Sequence, residues 1–256
     1  MQIDLQTFQD KYKEYLFQAL DFFEKNQIPY SLAFGTMLGA AREKDIIKWD
    51  CDVDLWMADE DVKRFLKIAN ELSDVFYVKT FLNYEEIFGV TRIYIKTLKR
   101  KDGDLYNIKD AYIDIFHTFE TETNQKTLFA LGKKLEKYSL LYDLKYSKRQ
   151  SKTLVKKIGR KLVCLFVKSN RCYVKKYLKL FQKKIMPGQK YLVSYRHSLL
   201  LSPLPLPKTY IKLQFGKRAC FVFDNYKEIL KIVYGSDYLT PIDYGFTKTT
   251  SFFVNN

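Results

Sequence analysis

Apolar residues near the start of the chain recur at steps of three and four positions. The pattern runs from Leu5 to Phe23, and this spacing places the apolar side chains on one face of an α-helix. Asn26 and Pro29 end the pattern, because proline cannot continue a helix. We therefore predict an opening helix that covers part of a core.

The stretch after this helix predicts a short strand and then a second helix. Tyr30–Phe34 is a short apolar run of the kind that forms buried strands. The dipeptide Gly35-Thr36 allows a tight turn, and Leu38–Arg42 fits a short helix after that turn. We expect a strand, a turn and a helix in this order.

Acidic and apolar residues alternate between Asp52 and Met57. Because a strand has a period of two residues, the alternation places Asp52 and Asp54 on one face and the apolar side chains on the other. A helix is predicted to follow from about Asp59 to Leu72, with the Asp59 carboxylate as its cap.

Three further segments are rich in β-branched and aromatic residues, which favour strands. They are Val75–Phe81, Val90–Leu98 and Ala111–Phe116. A polar turn at residues 101–104 separates the last two. The first half of the chain therefore predicts an α/β (α+β) fold in which helices flank a mixed sheet.

The second half of the chain changes in character. Between Thr153 and Ile185 apolar residues return to helical spacing, while Lys and Arg fill the other positions. Three prolines between 203 and 207 break any helix there, and a last ordered unit follows at Phe215–Pro241. We predict a core at residues 1–143, with a basic helical segment and a C-terminal element that packs on the core at 144–256.

Length and composition exclude several classes of protein. The chain has 256 residues, 47% of them hydrophobic, so it can bury a sizeable core and is not a disordered tail. The four cysteines are Cys51, Cys164, Cys172 and Cys220. They show no C-x-x-C spacing, so we expect neither a disulfide framework nor a cysteine zinc site.

The chain also lacks the usual signals for export or membrane insertion. No basic region followed by an apolar block stands at the N-terminus, and the longest apolar run, Leu162–Val167, has six residues. A membrane-spanning helix needs roughly 20 apolar residues. We therefore predict a cytoplasmic protein with reduced thiols. Peripheral attachment to the inner face of the membrane is compatible with this prediction.

The net charge of +15 is unevenly distributed. Of the 44 basic residues, 21 lie between Asp143 and Asp224, a stretch without any acidic residue. Such a basic amphipathic stretch suits the anionic cytoplasmic face of a membrane. An ordinary helical subdomain with a basic surface fits the same pattern. Interleaved aromatic residues would also suit nucleic acid, but no nucleic-acid-binding motif accompanies the charge, so we do not expect nucleic acid as a partner.

Three acids, Asp50, Asp52 and Asp54, alternate in a single short segment. Like charges this close repel one another unless a cation lies among them. Carboxylate oxygens are the usual protein ligands of Mg²⁺ and Mn²⁺. The pattern therefore predicts a divalent metal site, although an acidic turn in water has the same local sequence.

Other residues add the remaining parts of a nucleotidyltransferase site. Asp114 lies among four large apolar residues, where a carboxylate is costly to ionise unless it is paired or metal-bound. A strand residue that merely faces water is the alternative. The Gly35-Thr36 turn opens a helix whose free N–H groups can receive a phosphate, and Arg42 lies between that turn and the acids. We assign no role to His117 or His197.

Two of these segments together resemble the signature of the LicD family, which includes fukutin and fukutin-related protein. Gly35–Arg42 (GTMLGAAR) and Ile47–Asp54 (IKWDCDVD) are similar to the family pattern G-T-L-L-G-A-x-R followed by P-W-D-x-D-I-D. Tyr112–Phe116 resembles the family's I-D-I-F strand, and Tyr226–Pro241 its closing Y-G…P element. The chain departs from the pattern at Asp45, Lys48, Cys51 and His117, but the three alternating acids remain.

The resemblance implies a nucleotidyltransferase-like fold and a metal-dependent transferase. Such an enzyme moves phosphocholine or a related phospho-alcohol from a CDP-linked donor, most simply CDP-choline, to a hydroxyl of a cell-surface or lipid-linked glycan and releases CMP. The implied catalytic residues are Asp52, Asp54 and Asp114. The implied ligands of Mg²⁺ or Mn²⁺ are Asp50, Asp52, Asp54 and Asp114. The implied substrate-binding residues are Gly35, Thr36, Arg42, Arg92 and Lys96.

Other functions share these residues. A nucleotidyltransferase that uses a nucleoside triphosphate and releases pyrophosphate needs the same acids. A polyol-phosphate transferase that uses CDP-ribitol or CDP-glycerol differs only in its donor. The non-enzymatic alternative is a membrane-bound scaffold that has the fold but no activity. The three retained acids make this alternative less favoured.

Overall fold

Six α-helices and eleven strands lie within the residues that the computed structural model describes, which are 1–86, 89–102, 108–146, 169–181, 189–194, 204–242 and 250–255. The helices are α1 (Leu5–Lys25), α2 (Phe34–Arg42), α3 (Asp59–Ile68), α4 (Gln125–Tyr146), α5 (Asn170–Phe181) and α6 (Tyr226–Tyr234). The strands are β1 (Gln2–Ile3), β2 (Ser31–Leu32), β3 (Val53–Ala58), β4 (Phe76–Thr80), β5 (Val90–Asp102), β6 (Lys109–Thr123), β7 (Gln189–Ser194), β8 (Leu204–Pro205), β9 (Tyr210–Phe215), β10 (Arg218–Phe223) and β11 (Thr250–Val254).

Nine of these described strands form one mixed sheet. Its main order is β1-β11-β5-β6-β3-β2, with β4 on β5, β7 on β6 and β8 on β7. Strands β3 and β6 are parallel, and the other pairs are antiparallel. Strands β9 and β10 form a separate hairpin. The predicted fold class, a mixed sheet flanked by helices, is confirmed.

Helix α1 forms as its apolar spacing predicts. The Asp4 carboxylate caps its N-terminus by accepting a hydrogen bond from the Thr7 backbone N–H at 2.7 Å. Its apolar face is fully buried at Phe8, Leu16 and Phe23. Because a long amphipathic helix gains most of its stability from such burial, this face fixes α1 on the sheet.

Helix α2 begins earlier than predicted, at Phe34 rather than after a Gly35-Thr36 turn. Phe34 adopts a positive φ of 43°, which is uncommon for a large residue. Its ring packs edge-on against Trp56 and Phe116, with centroid distances of 4.8 Å and 5.1 Å. These tertiary contacts hold the turn that starts the helix, and Gly35 and Thr36 lie within its first turn.

The prediction that the Asp59 carboxylate caps α3 is wrong. The N-cap residue is Ala58, and no side chain caps this helix end. Asp59 is the first helical residue, and its carboxylate contacts His117 at 2.9 Å and Lys63 at 2.7 Å instead. A buried imidazole and an ammonium are stronger partners for a carboxylate than a backbone N–H group.

The sheet has two chemically different faces. Side chains alternate between faces along each strand, so Asp54 and Trp56 on β3 share one face with Asp114 on β6. We call this the acidic face. His117 lies on the opposite face and contacts α3 through Asp59. Helix α1 packs beside α3 on that side, through rings such as Phe23 and Phe65 at 5.1 Å.

The C-terminal elements belong to the same hydrophobic core. On the acidic face Phe223 of the hairpin stacks on Trp56 at 5.7 Å, and Arg218 pairs with Glu24 of α1 at 2.7 Å. Strand β11 joins the sheet between β1 and β5. We predicted neither β11 nor α4: β11 has little local signal, whereas α4 was missed although Leu128, Leu131 and Leu135 stand at helical spacing.

Only part of the predicted basic segment lies within the described residues. Helix α5 covers Asn170–Phe181 and packs on α4 through Tyr138 and Tyr173, whose ring centroids are 6.0 Å apart. The rest of the predicted helical region, Cys164 and His197 lie outside the described residues. None of the helices in the described ranges has the length and apolar character needed to cross a bilayer.

A chain of polar side chains, all buried except Lys63, links α3 to strands β4, β5 and β6. We call it the histidine network; its members are Lys63, Asp59, His117, Thr91 and Thr80. His117 Nδ1 is 2.9 Å from Asp59, and its Nε2 is 2.8 Å from the Thr91 hydroxyl. Thr91 in turn contacts Thr80 at 2.8 Å. His117 is therefore structural, and each carboxylate oxygen of Asp59 has a positively charged or N–H partner.

Candidate active site

The predicted acids lie on the neighbouring parallel strands β3 and β6 and in the segment before β3. Asp54 on β3 and Asp114 on β6 are register partners, and Asp114 is also the partner of Arg92 on β5. Asp50 and Asp52 lie in the segment that leads into β3. We call Asp50, Asp52, Asp54 and Asp114 the acid cluster.

Asp54 is held firmly by its backbone. Its N–H donates to the Thr36 hydroxyl at 2.8 Å, and its carbonyl accepts from the Ala33 N–H at 2.9 Å. The residue is only 4% exposed. The Thr36 side chain thus ties the first turn of α2 to the strand that carries the acid.

Asp50 and Asp52 are in direct contact with each other. Burial, together with the neighbouring Asp52 carboxylate that shares a hydrogen bond with it, raises the pKa of Asp50 to about 8. A residue with a side chain would not fit at position 35 without a shift, because its Cβ atom would lie only 2.9 Å from Asp50 Oδ2. The lack of a side chain at Gly35 therefore leaves room for the Asp50 carboxylate against α2.

Two residues that the sequence did not single out hold the segment before β3. The Gln9 amide donates to the carbonyl of Asp50 at 2.7 Å and to that of Ile47 at 3.0 Å. Arg100 Nη1 donates to the Cys51 carbonyl at 3.2 Å. These contacts from α1 and β5 fix the acids relative to the sheet, since they bind the backbone that carries them.

Arg92 links the acid cluster to a further carboxylate. Its Nε donates to Asp114 Oδ1 at 2.6 Å, and its Nη1 donates to Glu86 Oε2 at 2.9 Å. Glu86 is fully buried and accepts a second hydrogen bond from the Tyr94 hydroxyl. The Arg92 guanidinium also lies 4.0 Å from the centre of the Tyr112 ring, a cation–π distance.

The site has more negative than positive groups. Burial raises the pKa of Asp114 above its ordinary value, while Arg92 opposes that shift. Arg92 and Arg100 supply positive charge, but the four acids of the cluster and Glu86 outnumber them. Asp52 also acts on Tyr12, whose pKa is raised well above its usual range, first by burial and then by this charge. The excess favours a bound cation.

The acids fit a magnesium or manganese ion of the kind that also binds a substrate. Within the described residues, no group of three or more His, Cys, Asp or Glu side chains is arranged to hold a metal ion by itself. Mg²⁺ seldom uses such a cage, because it keeps several waters and takes one or two carboxylates together with substrate phosphates. The contacting pair Asp50 and Asp52, and the register pair Asp54 and Asp114, match that requirement.

The predicted substrate-binding residues lie in different surroundings. Gly35 and Thr36 support Asp50 and Asp54, as described above. Arg42 pairs with Glu43 at 2.8 Å and lies 5.9 Å from the centre of the Trp49 ring. Lys96 is exposed and donates to the Asp74 carbonyl at 2.5 Å. Among the predicted cations, Arg92 is therefore the one that the described contacts join to the acid cluster.

The residues that sequence reasoning missed carry weak local signals. Glu86 lies in an irregular stretch between two strands, and Arg100 is one of several basic residues at the end of β5. Between Ile95 and Lys99 the register of β5 against β6 shifts. Because such a bulge changes where later side chains point, strand alternation alone gives no position for Arg100.

Comparisons with known proteins agree with this geometry. Residues 27–150 match the family model described as "LicD/FKTN/FKRP, nucleotidyltransferase domain", and this range includes the whole acid cluster. The "Lipopolysaccharide cholinephosphotransferase LicD" of Haemophilus influenzae is 29% identical over 136 residues, which covers 48% of this chain and 49% of that protein. The chain thus matches about half the length of this curated relative.

Proposed function

Through residues 27–150 this chain belongs to the LicD family, and from this premise we propose that it is a phosphotransferase of LicD type. It moves phosphocholine, or a related phospho-alcohol, from a CDP-linked donor to a hydroxyl of a cell-surface or lipid-linked glycan. CMP is the leaving group. The relative's name supports the choice of choline, and the family supports the transferase class.

The observation that carries this proposal is the acid cluster. Asp54 on β3 and Asp114 on β6 are buried, while Asp50 and Asp52 before β3 are half-buried and share a hydrogen bond. Carboxylates this close together and this shielded from water are costly for a fold, so their presence indicates a ligand that brings positive charge. A divalent cation with a diphosphate is such a ligand.

The acids hold Mg²⁺ or Mn²⁺ in this proposal. The bound ion would neutralise the donor diphosphate and stabilise the oxygen that leaves with CMP. Asp50 and Asp52 contribute one pair of carboxylates, and Asp54 and Asp114 contribute the other. Gln9 and Arg100 keep the first pair in place through the backbone of residues 47–51.

The same residues account for the movement of protons and charge. The acceptor hydroxyl attacks the phosphorus that bears the alcohol, and the bond from that phosphorus to the CMP oxygen breaks. The hydroxyl proton passes to a carboxylate, for which Asp114 is our candidate. Arg92 contacts Asp114 and contributes positive charge beside the phosphates.

A screen of nucleotide-linked donors tests the proposal. Purified protein is incubated with Mg²⁺ and with CDP-choline, CDP-ribitol, CDP-glycerol, CDP-ethanolamine or CTP, and CMP and pyrophosphate are measured. Metal-dependent release of CMP from one CDP-linked donor, with a glycan acceptor present, supports the proposal. Release of pyrophosphate from CTP would instead identify a nucleotidyltransferase. No release from any donor, with the protein folded, would contradict both.

We further propose that α5 helps the enzyme to reach a lipid-linked acceptor. Ser169 and four basic residues of α5 line a cavity of about 450 Å³: Arg171, Lys175, Lys176 and Lys179. Each basic residue near an anionic surface contributes on the order of 1 kcal/mol. Sedimentation with anionic liposomes at moderate salt tests this, and the protein remaining in the supernatant would contradict it.

A further inference from the structure

Among the described residues, Glu86 is the one buried carboxylate near the acid cluster that the proposed chemistry does not use. It is fully buried between β4 and β5 on the acidic face, where it contacts Arg92 at 2.9 Å. The Tyr94 hydroxyl donates to its other oxygen. Burying a charge at this depth is costly unless it is paired, and Arg92 supplies a paired positive charge.

Arg92 is shared between two carboxylates. Its Nη1 binds Glu86, and its Nε binds Asp114 Oδ1 at 2.6 Å. Among the described residues, Asp114 Oδ2 has no hydrogen-bond partner. A metal ion that used Asp114 would bring a second positive charge close to Arg92, and the two cations would repel each other.

We propose that Glu86 is a positioning residue that lets Arg92 release Asp114 when that carboxylate takes up a divalent cation. Arg92 keeps its bond to Glu86 when its bond to Asp114 breaks, so no guanidinium is left buried and unpaired. Without Glu86 the same movement would leave the Arg92 guanidinium buried without a carboxylate partner, which is unfavourable. Arg92 would then stay paired with Asp114 and compete with the metal for that carboxylate.

This inference rests on the proposed use of metal by the acid cluster, and its test does not need activity. Mn²⁺ binding is measured by calorimetry without any donor for the wild type, Glu86→Gln, Arg92→Gln and the double variant. Glu85→Gln is the matched control, because it removes the same charge from the neighbouring, exposed residue. Circular dichroism and unfolding midpoints show which variants fold, and Arg92→Lys replaces Arg92→Gln if the latter does not.

We expect Glu86→Gln to weaken Mn²⁺ binding about tenfold, an interaction of ordinary size for a coupled pair. Arg92→Gln strengthens binding, because it removes the competitor for Asp114. In the Arg92→Gln background the Glu86 substitution has less than about a threefold effect, since Glu86 acts through Arg92. Glu85→Gln leaves binding unchanged.

Three results would overturn the inference. Equal Mn²⁺ affinity in the wild type and Glu86→Gln would show that Glu86 has no such role, and the transferase proposal would stand. An equal loss with and without Arg92 would show that Glu86 acts only through its own charge. If the folded wild type binds no Mn²⁺, both the inference and the proposed metal site are wrong. The donor screen still tests the transfer reaction separately, through CMP release.

Discussion

The histidine network and the acid cluster lie on opposite faces of the same strands, and their charges are balanced differently. Asp114 and His117 are three residues apart on β6, so each face receives one of them. In the histidine network one carboxylate, Asp59, has two partners, His117 and Lys63. In the acid cluster four carboxylates and Glu86 lie near two arginines. Arg92 pairs with Asp114 and Glu86, and Arg100 by its charge opposes the rise that burial causes in the pKa of Asp114.

This difference is our reason to propose that the acid cluster binds a ligand and that the histidine network is structural. A buried network whose members all have partners stabilises one arrangement of the fold and needs nothing from outside. Excess charge of one sign is stabilised when protons or bound cations reduce it. We therefore base the proposed binding site on its charge balance and not on burial alone.

The largest expected effect comes from removing one charge of the acid cluster. Asp52→Asn and Asp54→Asn keep the side-chain size. Each should lower the rate of CMP release at least about a thousandfold, because metal-based stabilisation of the transition state is worth several kcal/mol. Activity is measured with the donor identified in the screen. Unfolding midpoints should change little, since each substitution relieves repulsion.

The control for this prediction is Asp61→Asn, which removes an acid on the surface of α3 that pairs with Arg64 at 2.7 Å. It should leave transfer unchanged. Full activity of a folded Asp52→Asn or Asp54→Asn variant would show that the acid cluster is not the active site.

Disrupting the histidine network should have the opposite result. Asp59→Ala leaves His117 and Lys63 without their shared carboxylate, and breaking a buried pair costs about 3 to 5 kcal/mol. The free energy of unfolding, measured with urea, should fall by about that amount. Activity per folded molecule should remain. A variant that unfolds normally but loses transfer would place Asp59 in the catalytic machinery and end the contrast.

The pH dependence of stability gives a smaller effect on the same network. Burial lowers the pKa of His117 below its ordinary value of 6.5, although Asp59 opposes the shift. Above 6.5 the imidazole is neutral in both states. As the pH falls below 6.5, the unfolded chain takes up a proton before the folded chain does, so stability is lost.

The slope from this one group is at most about 1.4 kcal/mol per pH unit. Urea midpoints at about pH 7.5 and about pH 5.5 measure it, and His117→Gln should make the dependence shallower. A His117→Gln variant with the same slope as the wild type would show that other groups cause the loss.

The smallest expected effect is stabilisation by metal alone. Mg²⁺ at roughly ten times its dissociation constant should add about 1.4 kcal/mol, which for a chain of this size raises the melting temperature by about 3 to 5 °C. Asp52→Asn should remove the increase, and Asp59→Asn should keep it. A similar increase in both variants would mean that the ion binds elsewhere.

Much of the fold could be predicted because its signals are local. Helix α1 and strand β3 follow from side-chain spacing alone, and their observed bounds agree closely with the pattern. The start of α2 could not be predicted in this way, because distant rings hold Phe34 in its positive φ. Strand β11 pairs with β5 some 150 residues earlier, and no local pattern encodes such a partner.

The candidate site divides in the same manner. Asp52 and Asp54 could be found from alternation, and Asp114 from its apolar neighbours. Their supports could not, since Gln9 resembles any polar residue of α1 and binds carbonyls about 40 positions away. Glu86 and Arg100 reach the site only through tertiary structure.

The register between Asp54 and Asp114 has a consequence for how the protein folds. These partners are 60 positions apart, and contacts between distant segments form late and slowly because the intervening chain must first be ordered. An incompletely folded chain would therefore carry the separate acids without a ligand site. Recovery of cation binding during refolding would then report completion of the sheet, later than signals that follow helix α1.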